Sequence, residues 1–144
     1  MWLAGEGAER GTLETQAQRL GVADRVHLLG WREDTSALLA AADIFVCSSR
    51  IEPLGNVVIE AWATGTPVVA AASDGPRELI QDGETGLLTP LENPDALAHA
   101  MQGLMDDADL RAHFKSASLA AYVAEFSETK VVGLYWEFLE KIMK

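Results

Sequence analysis

The stretch Glu52-Pro53-Leu54-Gly55-Asn56-Val57-Val58-Ile59-Glu60, running on through Ala61-Trp62-Ala63-Thr64-Gly65-Thr66-Pro67-Val68-Val69-Ala70, decides the fold. Two carboxylates eight positions apart bracket a Gly-Asn turn, which opens an apolar helix that ends at Gly65 before a buried strand. The first N–H groups of such a helix have no internal partners and carry the positive end of its dipole, so they bind anions. Gly55 lacks a Cβ and lets a ligand approach the backbone. With a helix start near Asn56, Glu60 lies one turn on, on the same face. Carboxylates accept hydrogen bonds from hydroxyls. Phosphate donors beside hydroxyl acceptors point to a nucleotide-sugar site, and in an open parallel sheet such sites lie beyond the carboxyl ends of the strands.

Outward from this stretch, short apolar runs alternate with helical patterns. Strands are expected at Trp2–Ala4, Val26–Leu29, Ile44–Cys47, Pro67–Ala71 and Leu87–Thr89. Between them, helices are expected near Ala8–Leu20, with Leu13, Ala17 and Leu20 on one face, and near Thr35–Ala42, with Asp34 as N-cap. Two more follow at Val57–Thr64 and Arg77–Gln81, the latter after Gly75-Pro76, and a turn runs from Asp82 to Gly86. This order implies an α/β fold, a Rossmann-like open parallel sheet flanked by helices. From Asn93 the pattern is helical only. Asn93-Pro94 forms an N-cap and N1 pair, Leu97, Met101 and Leu104 form an apolar stripe, and Leu110–Phe126 and Thr129–Met143 complete the tail. One domain over residues 1–144 is expected, an αβ core at 1–91 and an all-helical tail at 92–144.

Composition narrows the function. At 144 residues, 49% hydrophobic and 23% charged, the chain builds a folded core rather than staying disordered. A net charge of −11 argues against nucleic acid or an anionic membrane as partner, so an anionic ligand must be held by local donors. The single Cys47, in the apolar run Ile44-Phe45-Val46-Cys47, excludes an internal disulfide and reads as a buried structural thiol. The opening Met1-Trp2-Leu3-Ala4-Gly5 is too brief for a signal h-region or membrane span, so a cytoplasmic setting is expected.

Several stretches together resemble one family. The Glu52-to-Glu60 spacing resembles the Glu-x7-Glu motif of the retaining glycosyltransferases of GT-B fold known as glycosyl transferases group 1 (family 4-like). Gly5-Glu6-Gly7 resembles that family's Gly-Asp-Gly turn, Val26-His27-Leu28-Leu29-Gly30 its V-x-F-x-G strand, and Ala42-Asp43-Ile44-Phe45-Val46 its A-D-x-x-V strand. Gly65-Thr66-Pro67-Val68-Val69 resembles G-x-P-V-V, and Gly83-Glu84-Thr85-Gly86-Leu87-Leu88 the G-x-x-G-x-L turn. The resemblance covers nearly the whole chain in the right order and identifies it with the family's C-terminal, donor-binding domain.

The resemblance implies roles position by position. Glu60 would bind the ribose hydroxyls and Glu52, the catalytic candidate, the hydroxyls of the donor sugar. The amides of Gly55, Asn56 and Val57 would meet the distal phosphate, with Leu54 beside them. Gly30, Trp31 and Arg32 would lie near the base; Trp31 either covers it or packs on the fold, the latter being favoured. No metal or other cofactor is implied, because helix amides and basic residues replace it. The partner would be a nucleotide sugar. The family's first strand, with an Arg and a Lys for the diphosphate, and its N-terminal acceptor domain are not found ahead of Trp2. Membrane contact would come only through that half. A full-length enzyme would transfer sugar to a glycan or lipid acceptor, and this chain alone would be inactive. A non-catalytic or regulatory nucleotide-sugar module, a domain whose site has decayed, or a GT-B-fold sugar-nucleotide epimerase relative are the alternatives.

Other signals are weaker. Gly5-x-Gly7 fails as a dinucleotide fingerprint because position 10 is Arg. Asp107-Ala108-Asp109 matches a metal-binding Asp-x-Asp motif, yet it falls between tail helices, where Asp109 reads as an N-cap. His27, His99 and His113 read as partly exposed structural residues. The tail aromatics Tyr122, Phe126, Tyr135, Trp136 and Phe138 read as docking residues, with part of that surface exposed.

Overall fold

The computed structural model describes residues 1–143. The chain forms two compact units, the first spanning Met1–Thr35 and the second running from Ser36 onward. In the first, β1 (Trp2–Ala4) and β2 (His27–Gly30) pair in parallel, joined through α1 (Arg10–Arg19) and a 3₁₀ turn at Ala23–Arg25. A register shift between Leu3 and Ala4 is closed by Gly5, whose N–H donates to the Gly30 carbonyl at 2.8 Å. Helix α1 is shorter than the sequence suggests, and of its expected stripe only Ala17 is buried. So few residues cannot cover a wider face.

The second unit begins with α2 (Thr35–Ala41, whose first residue closes the first unit) and is organised by β4 (Val68–Ala71), which lies between β3 (Phe45–Cys47) and β5 (Leu87–Thr89), all parallel. All four residues of β4 are buried, and they alternate between two layers as a strand must. Val68 and Ala70 pack with Cys47 and with Val58, Ala61 and Trp62 of α3 (Asn56–Ala63). Val69 packs instead with Leu104 of α5 (Pro94–Asp106) and Phe114 of α6 (Ala108–Ala121). The helical tail therefore supplies the sheet's second cover. Asn93 caps α5 through Ala96 N–H, ahead of Pro94, as the sequence suggests.

Besides α1 and shifts of a single end residue, three features of the helices differ from expectation. Helix α4 (Asp74–Leu79) starts three residues early, after the N-cap position Ser73, since Pro76 is tolerated in a first turn where its missing N–H has no partner. Helix α6 is capped by Asp107, which accepts from Leu110 N–H at 2.8 Å, so Asp109 lies inside the first turn. The expected Leu110–Phe126 helix gives way at Tyr122–Phe126 to a π turn, closed by Ser127 N–H donating to the Tyr122 carbonyl at 2.9 Å. There Phe126 meets Trp62 with ring centroids 6.2 Å apart, a tilted aromatic pair. Trp62 is buried and its Nε1–H has no acceptor among the described residues, so packing alone holds the indole.

The tail aromatics divide. Tyr122 and Phe126 pack on the core, while Tyr135, Trp136 and Phe138 of α7 (Glu128–Ile142) stand exposed. Among the described residues no helix is long and apolar enough to cross a membrane. Phe114 is 0% exposed and Phe138 60%. Phe114→Ala is therefore expected to lower unfolding stability by about 3–5 kcal/mol, whereas Phe138→Ala should stay within about 0.5 kcal/mol of the parent, both read from urea denaturation.

Candidate functional site

Parallel strands end on one edge of a sheet, and in the second unit β3, β4 and β5 all release their loops there. The loop after β3 carries Glu52 and enters α3; the loop after β4 enters α4. Gly55 occupies the N-cap position of α3 with φ +74°, a left-handed conformation that glycine adopts without strain. Space forbids a larger residue too. A Cβ at Gly55 would lie 2.6 Å from Leu79 Cδ1 and 3.1 Å from the Gly75 carbonyl carbon.

The contact is mutual. A Cβ at Gly75 would strike Gly55 N and lie 2.5 Å from Leu54 C and 2.7 Å from Glu52 O. The Gly75 N–H donates to the Glu52 carbonyl at 2.7 Å. The start of α4 thus serves as a bed for the Glu52–Gly55 turn, and a residue that sequence reasoning missed holds the site in place. Its signal was the Gly-Pro pair, which reads as an ordinary turn.

Within the turn, Glu52 Oε1 accepts from the Gly55 N–H at 3.0 Å. That amide is one of the three expected phosphate donors, and here it is engaged by the half-buried Glu52 carboxylate. The N–H groups of Asn56 and Val57 have no acceptor among the described residues, while the Val58 N–H turns inward to the Gly55 carbonyl at 2.8 Å. Leu54 is exposed beside them. On α3, Asn56, Glu60 and Ala63 form the exposed stripe opposite buried Val58, Ala61 and Trp62. Glu60 stands one helical turn, about 6 Å, beyond Asn56. Its carboxylate has no hydrogen bond or ion pair among the described residues, so an acid in an apolar helix is answered by a narrow open face. The second unit therefore brings together two acceptor carboxylates and two unfilled amides.

Gly30, Trp31 and Arg32 lie in the first unit, at the carboxyl end of β2. Gly30 has φ +71°. Trp31 is 77% exposed, so the packing favoured for it is not what the fold does; the indole projects from a turn too short to cover it. Arg32 forks onto Asp34, donating from Nε at 2.8 Å and Nη2 at 2.6 Å. This pairing lowers the Asp34 pKa and raises that of Arg32, and it occupies the carboxylate expected to cap the next helix. Cys47 is buried in the core. His27, His99 and His113 are exposed, with His113 Nε2 3.5 Å from Glu84.

The glycine contact can be tested directly. Gly75→Ala is expected to cost about 1–3 kcal/mol in unfolding stability through overpacking. It should also speed hydrogen exchange at the Gly55 amide, whose bond to Glu52 depends on the turn. Unchanged exchange at Gly55 would show that the turn keeps its shape without the bed.

Known proteins share both the sequence and the fold. Glycosyl transferases group 1 matches residues 1–107. The lipopolysaccharide core biosynthesis glycosyltransferase LpsE of Rhizobium meliloti is 41% identical over 96% of this chain and 41% of its own length. LpsD of the same organism, described in the same words, is 33% identical over 98% of the chain and 41% of its own length. HepE of Anabaena in complex with UDP superposes with a TM-score of 0.90 at 32% identity, over 97% of this chain and 40% of HepE. Sucrose-phosphate synthase of Thermosynechococcus elongatus gives 0.88 at 30% identity, over 99% of the chain and 38% of that protein. The chain thus spans about two fifths of the length of the relatives it matches. By its motifs, its parallel sheets flanked by helices and these matches, it belongs to the glycosyl transferases group 1 family, as a C-terminal domain of GT-B fold.

Proposed function

We propose that this chain is the donor-binding domain of a retaining glycosyltransferase that works in the cytoplasm. It would hold a nucleotide-diphosphate sugar for transfer to a glycan or lipid acceptor. The observation that carries this reading is the pair of unfilled amides at Asn56 and Val57, set between Glu52 and the unpaired carboxylate of Glu60. The amides take the distal phosphate, Glu60 the ribose hydroxyls and Glu52 the hydroxyls of the donor sugar. Leu54 lies against the donor, and Gly30, Trp31 and Arg32 serve the base. As the bond to the sugar breaks, negative charge grows on the departing diphosphate. Fixed amides at a helix N-terminus stabilise that charge without reorganising, which is why no metal is called for.

HepE has been crystallised with UDP and with UDP-glucose, and at 32% identity this favours a uridine nucleotide for the present chain. The likeness to LpsE and LpsD favours a lipopolysaccharide core oligosaccharide as acceptor, held by a partner domain and not by these residues. This chain alone would bind donor without turning it over.

Calorimetry with UDP and with a UDP-sugar tests the assignment. Glu60→Ala removes charge-assisted hydrogen bonds and should weaken UDP binding by about 10- to 100-fold. Glu52→Gln keeps an oxygen for the Gly55 N–H, so it should leave UDP affinity near the parent value and weaken only the UDP-sugar. Equal losses of UDP in the two variants would overturn the assignment of roles.

A further inference from the structure

A diphosphate approaching a chain of net charge −11 needs cations close at hand. Six Lys and Arg side chains occur among the described residues of the second unit, Arg50, Arg77, Arg111, Lys115, Lys130 and Lys141. Arg111 is spent on the end of α5, donating to the carbonyls of Leu104 and Met105 at 2.6 Å each. Lys115 lies along Gly65, beyond the C-terminus of α3 and so at the opposite edge of the sheet. Lys130 and Lys141 belong to α7. Of the six, Arg50, in the loop after β3, and Arg77, in the short helix α4 that follows β4, stand on the segments that leave the strand ends where the free amides lie.

Both are paired, but differently. Arg77 is tied to Asp74 in its own helix at 3.0 Å. Arg50 sits in the loop after β3, two residues before Glu52, and its Nε lies 3.2 Å from Oε1 of Glu92 in the loop after β5. Since β4 separates β3 from β5, this pair links the loops that follow the two flanking strands, which stand about 10 Å apart in the sheet. Among the described residues Glu92 is the one non-glycine residue with positive φ, +55°, a conformation that strains an ordinary side chain. The two side chains are 79% and 67% exposed, so water screens the attraction and the pair exchanges readily.

We infer that Arg50 is a donor-contacting residue held in reserve by Glu92. When a nucleoside diphosphate docks on the Asn56 and Val57 amides, the guanidinium leaves Glu92 and takes a phosphate oxygen. Reach permits this. Arg50 is at most about 7 Å along the chain from Glu52, and the Glu52–Gly55 hydrogen bond folds the turn so that Asn56 comes back beside it. A guanidinium matches phosphate oxygens in a fork that a single carboxylate contact does not fill. Glu92 thereby acts as an internal competitor: it holds the guanidinium when no donor is bound and sets a threshold for weak anions.

The inference rests on the donor-site reading above, and one series of titrations separates the two. UDP is titrated into the 144-residue chain and into Arg50→Gln, Glu92→Gln, the double variant and Glu60→Ala, at low and at physiological salt. Arg50→Gln should weaken UDP binding by about tenfold, and Glu92→Gln should tighten it by about two- to fivefold, the scale of one exposed ion pair. The double variant should match Arg50→Gln, because Glu92 acts only through Arg50. Parent-like affinity in Arg50→Gln, with binding lost in Glu60→Ala, would overturn the role of Arg50 and leave the donor site standing. Tightening by Glu92→Gln that persists in the double variant would also overturn it, since Glu92 would then repel the ligand directly. No uptake of UDP by the parent chain would overturn both.

Discussion

The second unit depends on burying one short strand from both sides. Val68, Val69, Ala70 and Ala71 are all buried, and a strand points successive side chains to opposite faces. One face must then be closed by α3 and the other by α5 and α6, with Trp62 and Phe114 as the large side chains on either side. Once both faces are covered, the only open parts of the sheet are the loops where strands end. Parallel pairing gathers those loops on one edge, so the site's position follows from the burial of β4 and not from any feature of the ligand.

That logic is largely readable in the sequence. Pro67-Val68-Val69-Ala70 has no alternation, and a continuous apolar run announces burial on two faces. The Glu52 and Glu60 spacing announces a turn and a helix with an acid on its open side, and the structure places Glu60 on such a stripe. What the sequence hides is contact between distant segments. Gly75 looks like half of a Gly-Pro turn, yet it is the residue on which Gly55 rests. Asp109 reads as the cap of α6 in the sequence, yet it is Asp107 that accepts from the Leu110 amide. The π turn at Tyr122–Phe126 is invisible for the same reason, because no local preference favours it; it accompanies the packing of Phe126 on Trp62, sixty-odd residues earlier.

Burial also explains why the candidate anion donors at the turn are backbone amides. The Glu52–Gly55 turn is pressed against Gly75 so closely that neither glycine has room for a Cβ. A side-chain phosphate ligand could not sit in that seam, whereas an N–H needs no space of its own. Backbone amides held by a packed turn are also rigid, and rigidity is what allows a dipole to stabilise developing charge without first reorienting. Glu52 contributes to this rigidity through its bond to the Gly55 N–H, so the same carboxylate that is assigned to the sugar also shapes the turn. A substitution at Glu52 therefore changes two things at once unless the new side chain keeps an acceptor oxygen.

Electrostatics completes the argument. A net charge of −11 opposes a diphosphate, yet in physiological salt a charge is screened over about 8 Å. Acids farther than that from the strand ends are screened, and the nearest groups decide whether an anion would bind there. At the carboxyl ends of β3, β4 and β5 those groups are unfilled amides, two carboxylates that accept from hydroxyls, and arginines already neutralised by acids. A bare inorganic anion would meet the amides but also the carboxylates beside them. A ligand that carries hydroxyls on either side of its phosphates would satisfy both kinds of group, and under the proposed function this pairing of needs favours a nucleotide sugar over simple phosphate.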